Sequence, residues 1–250
     1  MYQSPILANA IDSLHESIRY LNHRTDCENP VKHSILAAYQ AIELLLKEAL
    51  HNTHESLIYH NLNQPISPDS RTVSLLDAIT RLANLEISLE ESDVRLIRRF
   101  AARRNRIQHL EYQEEDYDRS LVGEAYDFAF RFVDNHLSLI LERYMINELY
   151  IEMMGEIGRY EEVVEDRTED AQEYIAGLSP EERASVVLVR CPLCDQETLV
   201  VHEGKQGYCC ICQTNLPVVR CKTCGTYVLE HDIRGEKCWH CVKKHSPIGE

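Results

Sequence analysis

Apolar residues recur every three or four positions over residues 5–22. They do so more regularly over 31–50, where Ile35, Tyr39, Ile42, Leu46 and Leu50 form one stripe. That spacing follows the turn of an α-helix and predicts two long amphipathic helices. The polar segment HNLNQPISPDS (60–70) reads as a loop. Helical patterning resumes over 72–84 and again over 90–110, then a fifth time through Leu121, Ala125, Phe128 and Phe132, running on towards Tyr144. Short connections between long helices favour an all-α up-and-down helical bundle, expected over residues 1–146. Residues 147–183 remain helix-prone but acidic, which suggests a connector. Near its end, after Gly177, Ser179-Pro180-Glu181-Glu182 offers a capping hydroxyl, a proline at the first helical position and a carboxylate at the third. Those residues mark a boundary and at most a short helix. From Val186 the pattern turns to short branched runs, VVLVR, TLVVHE and TYVLEH, which predict a small β-rich domain over 184–250.

Composition adds two constraints. With 250 residues and 44% hydrophobic side chains, the chain can bury a core without covalent staples. The N-terminus lacks a basic start followed by an unbroken apolar run, and no stretch approaches the roughly 18 apolar residues of a membrane span. The expectation is therefore a soluble, cytoplasmic protein without a membrane partner. The net charge of −15 is uneven: −7 over 1–146, −9 over 147–183 and +1 over 184–250. Much of the deficit sits in the connector, so whole-chain charge does not exclude a local anion site.

Nine of the ten cysteines fall between Cys191 and Cys241, the exception being Cys27. In a reducing compartment such clustering argues for metal, not disulfides. The pairs are Cys191/Cys194, Cys209/Cys212, Cys221/Cys224 and Cys238/Cys241, each with two intervening residues that let one tight turn aim both sulfurs at one ion. Taken consecutively, Cys191, Cys194, Cys209 and Cys212 bind one Zn²⁺ and Cys221, Cys224, Cys238 and Cys241 a second, a tandem zinc ribbon. Cys209 is preferred to Cys210 because only it has the right spacing to Cys212. An interleaved pairing, first knuckle with third and second with fourth, stays open. Closed four-thiolate shells are structural. The near-neutral charge of this segment leaves RNA, a protein partner and pure scaffolding equally open for the ribbons.

The helix over 90–110 contains RRFAARRNRIQHLEY (98–112). With Arg104 at zero on a helix advancing about 100° per residue, Ile97 and Ala101 fall within about 60° on one side and Phe100 and Ile107 within about 60° on the other. Arg104 therefore projects from the apolar face, and an unpaired buried guanidinium is costly, so that face should meet an acidic partner or a polar cleft. Asn105 and His109 share a neighbouring stripe and flank the same groove. Taken singly, each residue has an ordinary explanation. Arg98, Arg99, Arg103 and Arg106 read as solvated surface charges, with Arg98, Arg103 and Arg106 as weak candidates for contacting RNA. His109 suits a helix C-terminus, and Glu43 with Lys47 reads as a partly exposed pair.

Together, Arg104-Asn105-Arg106-Ile107-Gln108-His109 on the fourth helix of a bundle, with the second helix AAYQAIELLLKEAL, resembles the HEPN family, the higher eukaryotes and prokaryotes nucleotide-binding domains, over residues 5–146. The resemblance implies a homodimer in which two such motifs meet in one cleft. In many members it implies a metal-independent endoribonuclease of phage defence, toxin–antitoxin systems or RNA processing, with an antitoxin or other protein partner. Some family toxins carry a modified tyrosine two residues after the histidine. Tyr112 is three residues after His109, so that feature does not carry over. In the implied chemistry His109 moves protons between the ribose 2′-hydroxyl and the leaving 5′-oxygen, Arg104 holds the phosphate as charge develops, and Asn105 orients substrate or His109. Two histidines of a dimer or one acting twice fit equally well. The alternative is a catalytically inert bundle that binds RNA, nucleotide or protein while the ribbons recruit a partner.

Overall fold

A computed structural model of the chain describes residues 4–22, 26–63, 65–67, 69–110, 112–114, 117–194, 196–202, 206–238 and 241–242. Trp239 and His240 of the last knuckle, Glu203 of the second β-run, residues 243–250 of the ribbon segment and the first three residues lie outside these. The order is helices first, strands second: α1 (Pro5–Leu21), α2 (Pro30–Thr53), α3 (Leu75–Asn84), α4 (Glu91–His109), α5 (Asp118–Leu137), α6 (Asn147–Gly177) and α7 (Pro180–Ala184), then eight short strands. No described helix is long and apolar enough to cross a membrane.

Helix starts follow local chemistry. Ser4 caps α1 by accepting the Leu7 N–H at 3.1 Å, and Pro5 follows with the backbone angle a first turn needs. Pro30 opens α2 in the same way, and Ser74 caps α3 through the Asp77 N–H at 3.2 Å. The reciprocal cap at α7 forms as expected: Ser179 Oγ accepts the Glu182 N–H, and the Glu182 carboxylate accepts the Ser179 N–H at 3.1 Å. One helix end differs from expectation. α5 stops at Leu137 because Ser138 turns left-handed, at φ 54°, and Leu139 N–H returns to the Val133 carbonyl at 3.2 Å. Residues 138–144 therefore do not continue the helix; a short 3₁₀ turn covers Leu141–Arg143.

The chain divides into two compact units, Met1–Tyr160 and Glu161–Glu250. The division falls inside α6, whereas the sequence placed boundaries at the two ends of the acidic segment. The reason is the stripe Leu149, Met153 and Ile157, four residues apart, which is buried in the bundle core. α2 is the centre of the first unit and packs against α1, α3, α4 and α5. Its face of Ile35, Ala38, Ala41, Ile42, Leu45, Leu46, Ala49 and Leu50 is buried, and each large aliphatic side chain contributes about 1.5–3 kcal/mol. Gly123 allows α5 to approach α6 closely: a Cβ there would lie 2.9 Å from the Tyr160 Cβ and 3.0 Å from the Glu156 carbonyl oxygen. Several polar groups inside the bundle are paired across helices. The Ser17 hydroxyl joins Ser34 at 3.0 Å and the buried Tyr126 hydroxyl at 2.8 Å, and Arg119 Nη2 donates to the buried Glu156 at 2.6 Å.

In the second unit β1 (Val186–Val189), β2 (Leu199–His202), β3 (Gly207–Cys209) and β4 (Thr214–Leu216) form an antiparallel meander with β1 at one edge. β5 (Val218–Arg220) pairs β6 (Tyr227–Leu229), and β7 (Ile233–Arg234) pairs β8 (Lys237–Cys238). Alternation along the strands gives the meander two different faces. Leu199, Val201 and Cys209 face a cluster with Val164 and the knuckle cysteines, whereas Val186 and Val200 pack on Ala171 and Ile175 of the second half of α6.

Candidate functional site

Two turns of the meander carry the first cysteine group. Cys191 and Cys194 sit between β1 and β2, Cys209 ends β3 and Cys212 lies in the turn to β4, so pairing β2 with β3 brings the two knuckles together. The sulfurs of Cys191 and Cys212 are 3.9 Å apart and those of Cys194 and Cys209 3.6 Å. In the second group Cys221 and Cys241 are 3.9 Å apart and Cys224 and Cys238 3.8 Å. In each group all four sulfurs lie within 4.8 Å of one another. An ion held at about 2.3 Å by four tetrahedral thiolates needs sulfurs about 3.8 Å apart, so both groups fit one. The grouping is consecutive, which decides against the interleaved pairing. Cys209, not Cys210, completes the first set; Cys210 turns to the side of Ala171 and Val186, where burial pushes its thiol up.

Backbone donors support the thiolate form. Leu193 N–H points at Cys191 Sγ (3.4 Å), Cys212 N–H at Cys209 Sγ (3.3 Å) and Cys238 N–H at Cys221 Sγ (3.3 Å). With the Cys238 donor first among its causes, the Cys221 thiol is held down at about 6. Two threonines that the sequence did not single out flank the groups: Thr198 Oγ1 lies 3.4 Å from Cys209 Sγ and Thr226 Oγ1 3.4 Å from Cys224 Sγ. Each follows a knuckle by a few residues, where an outer hydroxyl steadies a thiolate. Three of the second group's cysteines are buried, but Cys224 is exposed, so this site is the more open of the two.

On α4 the structure redistributes the arginines. The one that enters the interior is Arg103, not Arg104. Arg103 is 4% exposed, and it grips the fully buried Asp118 through Nε to Oδ1 at 2.7 Å and Nη2 to Oδ2 at 2.6 Å, with Nη2 also donating to the Gln113 carbonyl at 2.7 Å. Tyr112 donates its hydroxyl to the same carboxylate at 3.2 Å and lies under the Arg103 guanidinium; its phenol is pushed up by burial and by Asp118. Arg103 is thus a structural tie between α4 and the start of α5, and its reading as an RNA contact is withdrawn. Arg99 likewise pairs with Glu124, and Arg131 reaches from α5 to the buried Asp93 at 2.9 Å. Three ion pairs therefore join α4 to α5.

Arg104 stands at the margin of the buried stripe, half-buried, with its guanidinium 4.9 Å from the Tyr39 ring centroid and Nη1 donating to Asn105 Oδ1 at 2.9 Å. The expectation that it projects from the centre of the apolar face is corrected by the burial of Leu96 and Arg103, which extends the stripe to the side away from Ala101 and leaves Arg104 at its margin. Tyr39, read from the sequence as a core position, is half-buried on α2 beneath Arg104, and its phenol is pushed up by burial and by Glu43. Glu43 accepts from Lys47 at 2.5 Å, and the buried Lys47 also donates to Thr72 Oγ1 at 3.0 Å. The missed signal was the stripe Tyr39, Glu43, Lys47, one polar-capable residue every four. Asn105 and His109 are exposed on α4, His109 being its last residue, and Arg98 and Arg106 are exposed as well. The structure thus joins Arg104 directly to Asn105 and places His109 one turn beyond Asn105 on the same exposed side. Comparison with known proteins yields nothing further: no family model, no curated protein and no solved structure matches the chain.

Proposed function

We propose that the protein is a metal-independent endoribonuclease of the HEPN type that cleaves RNA by 2′-hydroxyl attack at a site completed by a second copy of the chain, carried alongside a tandem zinc ribbon. The observation that carries this reading is the division of labour on α4. Arg99 and Arg103 are consumed by α5, while Arg104 and Asn105 stay together at the surface with His109 one turn on. A guanidinium seated on a tyrosine ring is pre-aimed without being neutralised, so its planar fork remains available for phosphate oxygens. His109 takes the proton from the 2′-hydroxyl or gives one to the leaving 5′-oxygen, Arg104 stabilises the added charge on the attacked phosphate, and Asn105 holds Arg104 in position. The open surface around these three residues supports a composite site, because water is excluded only when a second face covers it.

The cysteine groups fit Zn²⁺, the usual occupant of a closed four-thiolate shell. Bound there it supplies structure: no open position remains for water or substrate, so the cleavage chemistry rests on α4. Setting, whether toxin or antiviral effector, follows from what RNA is cut and what partner restrains it. The test is incubation of the pure full-length protein with mixed cellular RNA. Wild type should cut, and His109→Ala and Arg104→Ala should each lose on the order of 10²- to 10⁴-fold in rate. RNA bound but uncut by wild type would replace this reading with the inert binding module.

A further inference from the structure

A cleft of about 440 Å³ in the second unit is lined by Val187, Leu188, Val189 and Arg190 on one side and by Arg220 and Tyr227 among the residues of the other. Successive side chains of a strand point to opposite faces, so a cavity touched by four consecutive residues runs along the strand's edge and not over one face. β1 is an edge: among the described residues it pairs with β2 alone, so its outer N–H and C=O groups have no strand partner there, and all four lining residues 187–190 belong to this edge strand or directly follow it. The walls are apolar at Val187, which is 44% exposed, and at the half-buried Val189 and Tyr227. Arg190 and Arg220 line the same cleft, each immediately before a knuckle cysteine, Cys191 and Cys221. Arg220 is held in place by its own turn: Nε donates to the Gly225 carbonyl at 3.1 Å, and Gly225, at φ +78°, leaves room for the guanidinium. The Nη groups of Arg220 form no other bond among the described residues.

We infer that this cleft binds an extended peptide of alternating apolar and acidic residues, which adds as a strand to the outer edge of β1 and places a carboxylate on Arg220 beside Arg190. Strand addition satisfies the unpaired edge, the alternate side chains of the peptide rest on Val187, Val189 and Tyr227, and the Arg220 guanidinium selects the acidic residue. Four residues of β1 extend over about 13 Å, enough to pair with a segment of similar length. Glu197, which also lines the cleft, disfavours RNA and a peptide carboxylate alike; what favours the peptide is the strand edge itself, together with Tyr227 being the one aromatic residue of the lining among the described residues, too few to stack successive bases. This inference is independent of the nuclease reading, since it concerns the second unit alone.

The experiment is fluorescence anisotropy with metal-loaded full-length protein and a Val-Glu-Val-Glu-amide peptide carrying fluorescein on its N-terminal amine through a flexible linker. Micromolar binding is expected. Backbone N-methylation of the peptide or exchange of its glutamates for lysines should each weaken binding by about ten-fold or more, as should Arg220→Ala. Val187→Glu, at an exposed position that leaves the strand intact, should do the same by charge repulsion. A twelve-nucleotide uridine RNA should not displace the peptide. Absence of binding at millimolar protein, an N-methylated peptide that binds as well as its parent, wild-type affinity in Val187→Glu, or displacement by the RNA would each overturn the inference.

Discussion

The two units are built against opposite problems. In Met1–Tyr160 the interior is filled by aliphatic and aromatic side chains, and three of its buried charges are held in ion pairs: Asp118 by Arg103, Glu156 by Arg119, Asp93 by Arg131. In Glu161–Glu250 the clusters around the cysteines are small, strands run two to four residues, and much of the buried interior consists of the knuckle cysteines themselves. A domain with few apolar residues to bury obtains its folding energy from ligand bonds. The bundle should keep its tertiary structure by itself, whereas the second unit should keep its own only when its cysteine groups hold metal.

The largest effect should therefore be metal removal. Structural zinc supplies on the order of 10 kcal/mol per site, far more than segments of this size bury otherwise. A thiol-competing chelator should abolish hydrogen-exchange protection in β1–β8 while α2 keeps its own. Because Cys224 is exposed, the second centre should empty first, and the single tryptophan, Trp239, lies between its ligands in sequence and reports that step by fluorescence. Simultaneous loss of protection in α2 would break the distinction.

Next in size is Arg103→Ala, which leaves the buried Asp118 carboxylate unpaired and should lower bundle stability by about 3–5 kcal/mol. Replacing both partners together, Arg103→Met with Asp118→Leu, should recover most of that loss, and neither change should alter metal content. Chemical denaturation followed by helical circular dichroism measures both. Gly123→Ala forces α5 away from α6 and should cost about 1–3 kcal/mol in the same assay. A value near zero would show that the close approach at Tyr160 relaxes freely.

The smallest effect is one of pH. Burial first, and Arg19 second, hold the His15 imidazole below its ordinary value, and its Nε2 accepts the Ile146 N–H at 3.1 Å, a bond that requires an unprotonated nitrogen. Unfolded His15 takes up a proton near about pH 6.5 whereas the folded group does so only lower. The unfolded state therefore binds more protons in that window, and stability rises with pH there. The contribution is fully present above the ordinary histidine value and is lost as pH falls towards the lowered one. The denaturation midpoint should drop between pH 7.5 and 5.5, and His15→Gln, which keeps an acceptor but does not titrate, should drop less. Equal pH dependence in both proteins would assign the effect to other groups.

What was legible in the sequence was what local chemistry decides. The Ser179–Glu182 box sets a helix start within its own four residues, and the Cys-x-x-Cys spacing picks out the eight ligands, while their consecutive grouping had to come from the pairing of the strands. What was not legible depended on partners far along the chain. Arg103 and Arg104 both border the apolar stripe of α4, and only Asp118, fifteen positions on, determines that Arg103 goes inside. Tyr39 fits a core stripe until Arg104 is placed over it. α5 ends at Ser138 without the glycine that usually announces a left-handed cap, and the acidic composition of α6 hid the buried stripe of Leu149, Met153 and Ile157. Of the catalytic candidates, Asn105 and His109 are exposed and Arg104 is half-buried against Tyr39.

The central claim is that these surface residues cut RNA through its own 2′-hydroxyl, and the chemistry of the cut ends tests it most directly. Products of wild-type protein should carry a 2′,3′-cyclic phosphate and a 5′-hydroxyl, and DNA of the same sequence should survive. Brief treatment with EDTA, too mild to empty the thiolate shells, should leave the rate unchanged. Fragments with a 5′-phosphate and a 3′-hydroxyl, or equal cutting of DNA, would contradict the account.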